Sequence, residues 1–196
     1  MDKKFLEKTK YVDYDDKDIR SLANMLKDFS KDEIDLIKIT YEYVRDKIRH
    51  SWDYQDRRVT ISASSVLSEG VGICWGKANL LAALLRANNI PAGFSYQRLA
   101  LTDSPDSSFC IHALNTVYIQ SLKKWIRLDA RGNKEGVHAI FSLDEEHLAF
   151  PIKREGEKDY HDNHPFPDPN LMKTLEESDD MLDLYLHHLP DYLSYK

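Results

Sequence analysis

The sequence predicts an α+β fold in which helices come first, an antiparallel sheet follows and a helical tail closes the chain. Three observations support this. Apolar residues recur at helical spacing before residue 50, strand-like apolar runs joined by a short turn fill 92–129, and a glycine-bounded cysteine opens a further helix between them. A hairpin-linked sheet packed on a helix is a layer arrangement that buries both apolar faces.

Between Asp18 and Phe29, the residues Ile19, Leu22, Met25, Leu26 and Phe29 share one helical face. Ser30-Lys31-Asp32-Glu33 reads as a capping box, and the helix it starts lines Ile34, Ile37, Tyr41, Val44 and Ile48 along one side to about Arg49. A short helix over Ala63 to Glu69 stops at Gly70, which tolerates φ > 0. Gly70-Val71-Gly72 then breaks the chain, and Cys74 precedes the helical run Lys77 to Arg86, which ends near Asn88-Asn89 because Pro91 cannot continue it. Strands are predicted at about Ala92 to Leu101, Phe109 to Ile119 and Lys124 to Asp129, with a weaker one at Leu148 to Lys153. Gly156 to Pro169 reads as a loop. Asp168-Pro169 resembles an N-cap with proline at the first helical position, and Leu171, Leu175, Leu182, Tyr185, Leu186 and Leu189 form a stripe able to dock the tail. One domain is expected, with N-terminal helices over about 1–70, a core over about 71–153 and a tail over about 154–196.

Composition narrows the function. An apolar share of 42% against 31% charged residues excludes a fibre or a disordered chain, and 196 residues suffice for a single core. The net charge of −6, from 33 acids and 27 bases spread along the chain, leaves no basic stripe for nucleic acid or anionic lipid. Met1-Asp2-Lys3-Lys4-Phe5-Leu6 does not begin a signal peptide, and no apolar run approaches the ~20 residues that span a bilayer. A cytoplasmic protein with no membrane partner is expected. Two cysteines make no disulfide framework, and a reducing compartment suits a reactive thiol.

That thiol is Cys74. At a helix N-terminus, unpaired N–H groups and the macrodipole favour an anion, either the thiolate or an oxyanion beside it. The dipole contributes only ~0.3–1 kcal/mol at an exposed site, less than one pKa unit, so a strongly ionised thiol needs a neighbouring cation. His112 in the second strand supplies a candidate, and antiparallel pairing with Lys124 to Asp129 brings Asp129 near it. An imidazolium beside a thiolate can lower a cysteine pKa from ~8.5 to ~3.5–7.5. A carboxylate on the other ring nitrogen fixes the tautomer.

These residues resemble the transglutaminase-like superfamily of cysteine enzymes, which share a papain-like core. Gly72-Ile73-Cys74-Trp75 with the helix to Arg86, His112-Ala113-Leu114-Asn115, and Trp125-Ile126-Arg127-Leu128-Asp129-Ala130 carry the resemblance, which covers roughly Tyr41 to Ala130. It implies a catalytic triad with Cys74 as nucleophile, His112 as general acid/base and Asp129 as orienter. It also suggests that the indole N–H of Trp52 helps bind the oxyanion, the plain alternative being a core or rim tryptophan after a helix; Trp75, next to the nucleophile, reads as a residue that shapes the acyl pocket. Where the family often has a tryptophan and an acid after the histidine, this chain has Leu114 and Thr116; Arg131-Gly132-Asn133 also departs from the protein-crosslinking pattern.

The expected function is therefore cysteine-dependent acyl transfer on a peptide or small amide through a thioester, with hydrolysis favoured over crosslinking. A binding or interaction module with an unused triad is the alternative. Cys110 alternates onto the same strand face as His112, which makes it a possible redox partner for Cys74 and, on simple packing grounds, a small core residue. His161-Asp162-Asn163-His164 and His187-His188 lack the spacing of a zinc site, and no glycine loop has nucleotide-binding spacing. No metal and no cofactor are expected, and nothing in the sequence specifies an oligomeric state.

Overall fold

A computed structural model describes residues 2–104 and 106–195. After a 3₁₀ turn at Lys3–Leu6, helix α1 runs over Lys17–Phe29, α2 over Glu33–Lys47, α3 over Ala63–Glu69 and α4 over Cys74–Ala87. Two short strands, β1 (Arg49–His50) and β2 (Val71–Gly72), pair in parallel between them. Strands β3 (Ala92–Ala100), β4 (Phe109–Ile119), β5 (Lys124–Leu128) and β6 (Lys158–His164) form an antiparallel sheet in the order β5-β4-β3-β6. Helices α5 (Pro169–Glu176) and α6 (Met181–His187) follow. The fold is α+β, as expected. No helix among the described residues is long and apolar enough to cross a membrane.

Helix α4 is the centre of the core. Every residue from Trp75 to Arg86 is buried, because α1, α2 and α3 pack on one side of it and β3 and β4 on the other. Burying each of Leu80, Leu81, Leu84 and Leu85 completely contributes about 1.5–3 kcal/mol. A helix enclosed on all sides cannot shift its first residue without repacking this core, and that first residue is Cys74.

Local chemistry moves several sequence-based boundaries. The cap of α2 is Asp32, which accepts the Asp35 N–H at 2.9 Å, whereas Ser30 donates back to Lys27 O at the end of α1. Glu33, free of a capping role, instead accepts the N–H groups of Gln120 and Ser121 in the β4–β5 turn. Met25 and Phe29 are 45% and 77% exposed, since Ala23 takes the middle of the buried face of α1 with Ile19, Leu22 and Leu26.

Leu148 to Lys153 forms no strand. Its main chain serves the neighbouring side chains, with the Ala149 N–H on Asp129 and the Phe150 carbonyl accepting from Gln97, and Pro151 lacks a ladder donor. The real fourth strand, β6, lies inside the expected loop; it is a polar edge strand without apolar alternation, so period-2 patterning does not reveal it. The tail divides at 177–180, where Asp180 caps a new helix. That break resets the helical phase, so Met181 and Leu184 are buried and Leu186 is 59% exposed, while Leu171 and Leu175 dock as expected.

Candidate active site

Strands β1 and β2 assemble the first part of the site. The Arg49 N–H donates to Gly70 O at 3.0 Å and the Ser51 N–H to Gly72 O at 3.3 Å, which sets His50 opposite Gly72, two residues before Cys74. Helix α4 then opens with Ile73 as N-cap and no side chain accepting from its first turn. Among the described residues, each of the other five α-helices starts under a side-chain acceptor: Asp16, Asp32, Ser62, Asp168 and Asp180. Among the described residues, the first N–H groups of α4 are therefore left to the Cys74 sulfur or to an oxygen bound beside it.

The β4–β5 hairpin brings in the rest. Its register pairs Asn115 with Leu128, so Asp129 leaves β5 beside His112. His112 Nε2 lies 2.8 Å from Asp129 Oδ2. Asp129 also accepts the Ala149 N–H at 2.9 Å and the Arg131 N–H at 3.1 Å. His112 and Asp129 are buried, whereas Cys74 is partly exposed on the wall of the same cavity.

Electrostatics follow from this enclosure. Burial alone would oppose a charged His112, but the Asp129 carboxylate outweighs it, Cys74 adds through charge and a hydrogen bond, and the imidazole pKa rises to about 10. Burial likewise opposes the charge on Asp129; His112 and the two main-chain donors overcome it and hold the carboxyl below its ordinary range. The pair thus presents an imidazolium beside the thiol at neutral pH.

A cavity of about 390 Å³ fronts these residues, with His50, Trp52, Phe150 and Tyr185 in its wall. Trp52 stacks on Tyr185 of α6, with ring centroids 4.3 Å apart and planes 11° from parallel. Trp75 also borders the cavity but donates its indole N–H to Ile111 O at 2.8 Å, so it is a wall whose donor is already engaged. Cys110 is in the same wall; burial pushes its thiol up to about 12, with Cys74 adding, which makes it a poor attacking thiol. His164 stacks on Tyr195, and His187 lies edge-on to His188. Among the described residues no three His, Cys, Asp or Glu side chains gather where they could hold a metal ion.

Five polar residues near the site were not singled out by sequence reasoning. Arg131 grips Asp53 with both terminal guanidinium nitrogens, and Lys134 reaches the same carboxylate at 2.6 Å. Burial works against the charge of Asp53, yet these cations bring its pKa to about 2. Burial and then the Arg131 cation push His50 well below its ordinary value, so it is neutral, with an unpartnered Nδ1 4.0 Å from Asp53 Oδ2. Lys77 is the fifth. The signals were present in His50-Ser51-Trp52-Asp53 and Arg131-Gly132-Asn133, the latter read only as a departure from a family pattern.

Comparison with known proteins identifies the family and the fold. The family model described as the transglutaminase-like superfamily matches residues 20–130, more than half of the chain. A solved structure described as a putative cysteine protease from Cytophaga hutchinsonii superposes with a TM-score of 0.51 at 24% identity, covering 65% of this chain and 40% of that one. The periplasmic domain of TgpA from Pseudomonas aeruginosa aligns with a TM-score of 0.44 at 20% identity, covering 58% and 43%. The first of these shows a shared fold, and this chain spans less than half the length of either structure. No curated protein matches the sequence.

Proposed function

Given that the chain belongs to the transglutaminase-like superfamily, we propose that it is a cysteine-dependent acyl-transfer enzyme acting on amide bonds, with Cys74, His112 and Asp129 as its catalytic residues. The observation that carries the reading is the buried His112, bonded to Asp129 at 2.8 Å and raised to about 10 by that carboxylate and by Cys74, against burial. A structural histidine gains nothing from a thiol at its side, whereas a nucleophile needs a cation there.

The Cys74 thiolate attacks the amide carbonyl, and the uncapped start of α4, with Trp52, receives the oxyanion. His112 gives its proton to the departing nitrogen, leaving a thioester on Cys74. Acylation removes the sulfur's negative charge, one of the causes that raise His112. The imidazole, having given up its proton, is thereby held neutral more readily, and in that form it activates the acceptor in the second step. Water is the favoured acceptor, because Cys74 is partly exposed. The protein is then an amidase or peptidase rather than a crosslinking enzyme.

Intact-mass spectrometry after offering glutamine peptides, acidic cell-wall peptides and small amides tests the reading. An acyl adduct on Cys74, absent in Cys74→Ala, is the expected result, and its mass identifies the substrate. Iodoacetamide labelling at pH 6 provides a second arm. Labelling of Cys74 should slow by on the order of 10-fold or more in His112→Ala; equal rates, with no adduct from any amide, would leave an unreactive binding module.

A further inference from the structure

Lys77 lies one turn after Cys74 on α4 and is 1% exposed. A lysine is almost never enclosed to this degree without partners. Here the ammonium directs all three hydrogens to main-chain oxygens: Ile48 O at 2.6 Å, Arg131 O at 3.0 Å and Arg45 O at 3.2 Å. Arg45 and Ile48 belong to the end of α2, where carbonyls lack helical partners and the dipole is negative. Arg131 stands two residues after Asp129, and its own N–H donates to Asp129 Oδ1 at 3.1 Å. A single side chain therefore joins the helix carrying Cys74, the exit of α2 leading to His50 and Trp52, and the strand end carrying Asp129.

Gly132 permits this approach. Its φ is +111°, and a Cβ there would lie 3.3 Å from Arg45 O and 3.5 Å from Lys77 Nζ. The departure Arg131-Gly132-Asn133 thus has a local reason: the chain crosses here at a positive φ that a side chain would strain, and close enough to Arg45 O that a Cβ would be tight against it.

We propose that Lys77 is a positioning residue of the acyl-transfer site, holding Arg131 so that its N–H sets Asp129, and Asp129 in turn sets the His112 imidazole against the Cys74 sulfur. This rests on the thiol chemistry proposed above. Lys77 is enclosed behind the cavity wall and acts through these other groups. Its bonds also tie α4 to α2 directly, so that the sulfur and the imidazole are referenced to one point. Burial, then Arg131, drives the amine down to about 7, while Asp129, Asp46 and Asp53 draw it up. A neutral amine has two hydrogens for three carbonyls, so the hold weakens as pH rises.

The test uses the full chain with Lys77→Met and, separately, Gly132→Ala, each checked for folding by far-UV circular dichroism at low temperature. Hydrolysis of p-nitrophenyl acetate gives kcat and KM, and the low-field proton resonance of His112 Nε2–H reports the bond to Asp129. Displacing a catalytic group by a fraction of an ångström is expected to lower kcat by on the order of 10- to 100-fold with KM nearly unchanged, and to shift the resonance. A wild-type kcat and an unmoved resonance in both folded variants, with only a lower Tm, would overturn the inference and leave Lys77 as a structural tie. Wild type no faster than Cys74→Ala would instead count against the acyl-transfer reading, and the resonance would still decide the role of Lys77.

Discussion

Asp129→Asn keeps the side chain's shape and removes its charge, so it isolates what the carboxylate does to His112. In the native protein the imidazole has a pKa of about 10, against ~6.5 for an unfolded histidine. A raised folded-state pKa gives stability that is fully present below ~6.5 and is lost as pH climbs through 10. At about 1.4 kcal/mol per unit, the three units between pH 7 and a pKa of about 10 are worth roughly 4 kcal/mol, and the single unit left at pH 9 roughly 1 kcal/mol. Without the carboxylate, burial governs His112 and keeps it neutral at both pH values. Urea unfolding should therefore show a stability gap between the two proteins that narrows by roughly 3 kcal/mol from pH 7 to pH 9. Lys77, whose pKa is lowered to about 7, has the opposite sign: its burial penalty is relieved as pH rises. Asp129→Asn removes one of the charges that draw Lys77 up, so its penalty at pH 7 grows slightly in the variant and adds to the same narrowing of the gap.

The same substitution affects turnover. Asp129 Oδ1 accepts the Arg131 N–H, while Oδ2 accepts the Ala149 N–H and faces His112 Nε2, so an asparagine with a single oxygen must turn its NH2 toward either the Arg131 N–H or Nε2. An amide nitrogen facing Nε2 selects the wrong tautomer, and kcat should fall by on the order of 10⁴-fold. A pH-independent stability gap, or a kcat within tenfold of wild type, would refute the assignment of Asp129 as orienter.

Trp52→Phe should keep the stack on Tyr185 yet lower kcat by about 10²–10³-fold if the indole N–H binds the oxyanion; an unchanged kcat confines Trp52 to the wall. Gly93→Ala would place a Cβ 2.6 Å from His164 O and 2.7 Å from the Phe5 ring, so a loss of about 1–3 kcal/mol by urea unfolding is expected between β3 and β6. Peroxide should oxidise Cys74 while Cys110, held near 12 by burial, stays reduced; a Cys74–Cys110 crosslink in peptide maps would reverse that expectation and support a redox role.

By itself the sequence determined the local features: the helical stripes of α1 and α2, the break at Gly70 that frees the start of α4, the β4–β5 hairpin, and the order of Cys74, His112 and Asp129. Each rests on residues a few positions apart, where periodicity, caps and turns act directly. Tertiary structure decided what depends on distant partners. Strand β6 exists because β3 offers it an edge, not because Lys158–His164 alternates. Ala149, read as strand, supplies an N–H to Asp129 from twenty residues away. Lys77 looked like one more polar position on a helix, and its meaning came from three carbonyls contributed by two other segments. Buried polar groups must find partners wherever the fold provides them, and no local pattern records where that will be.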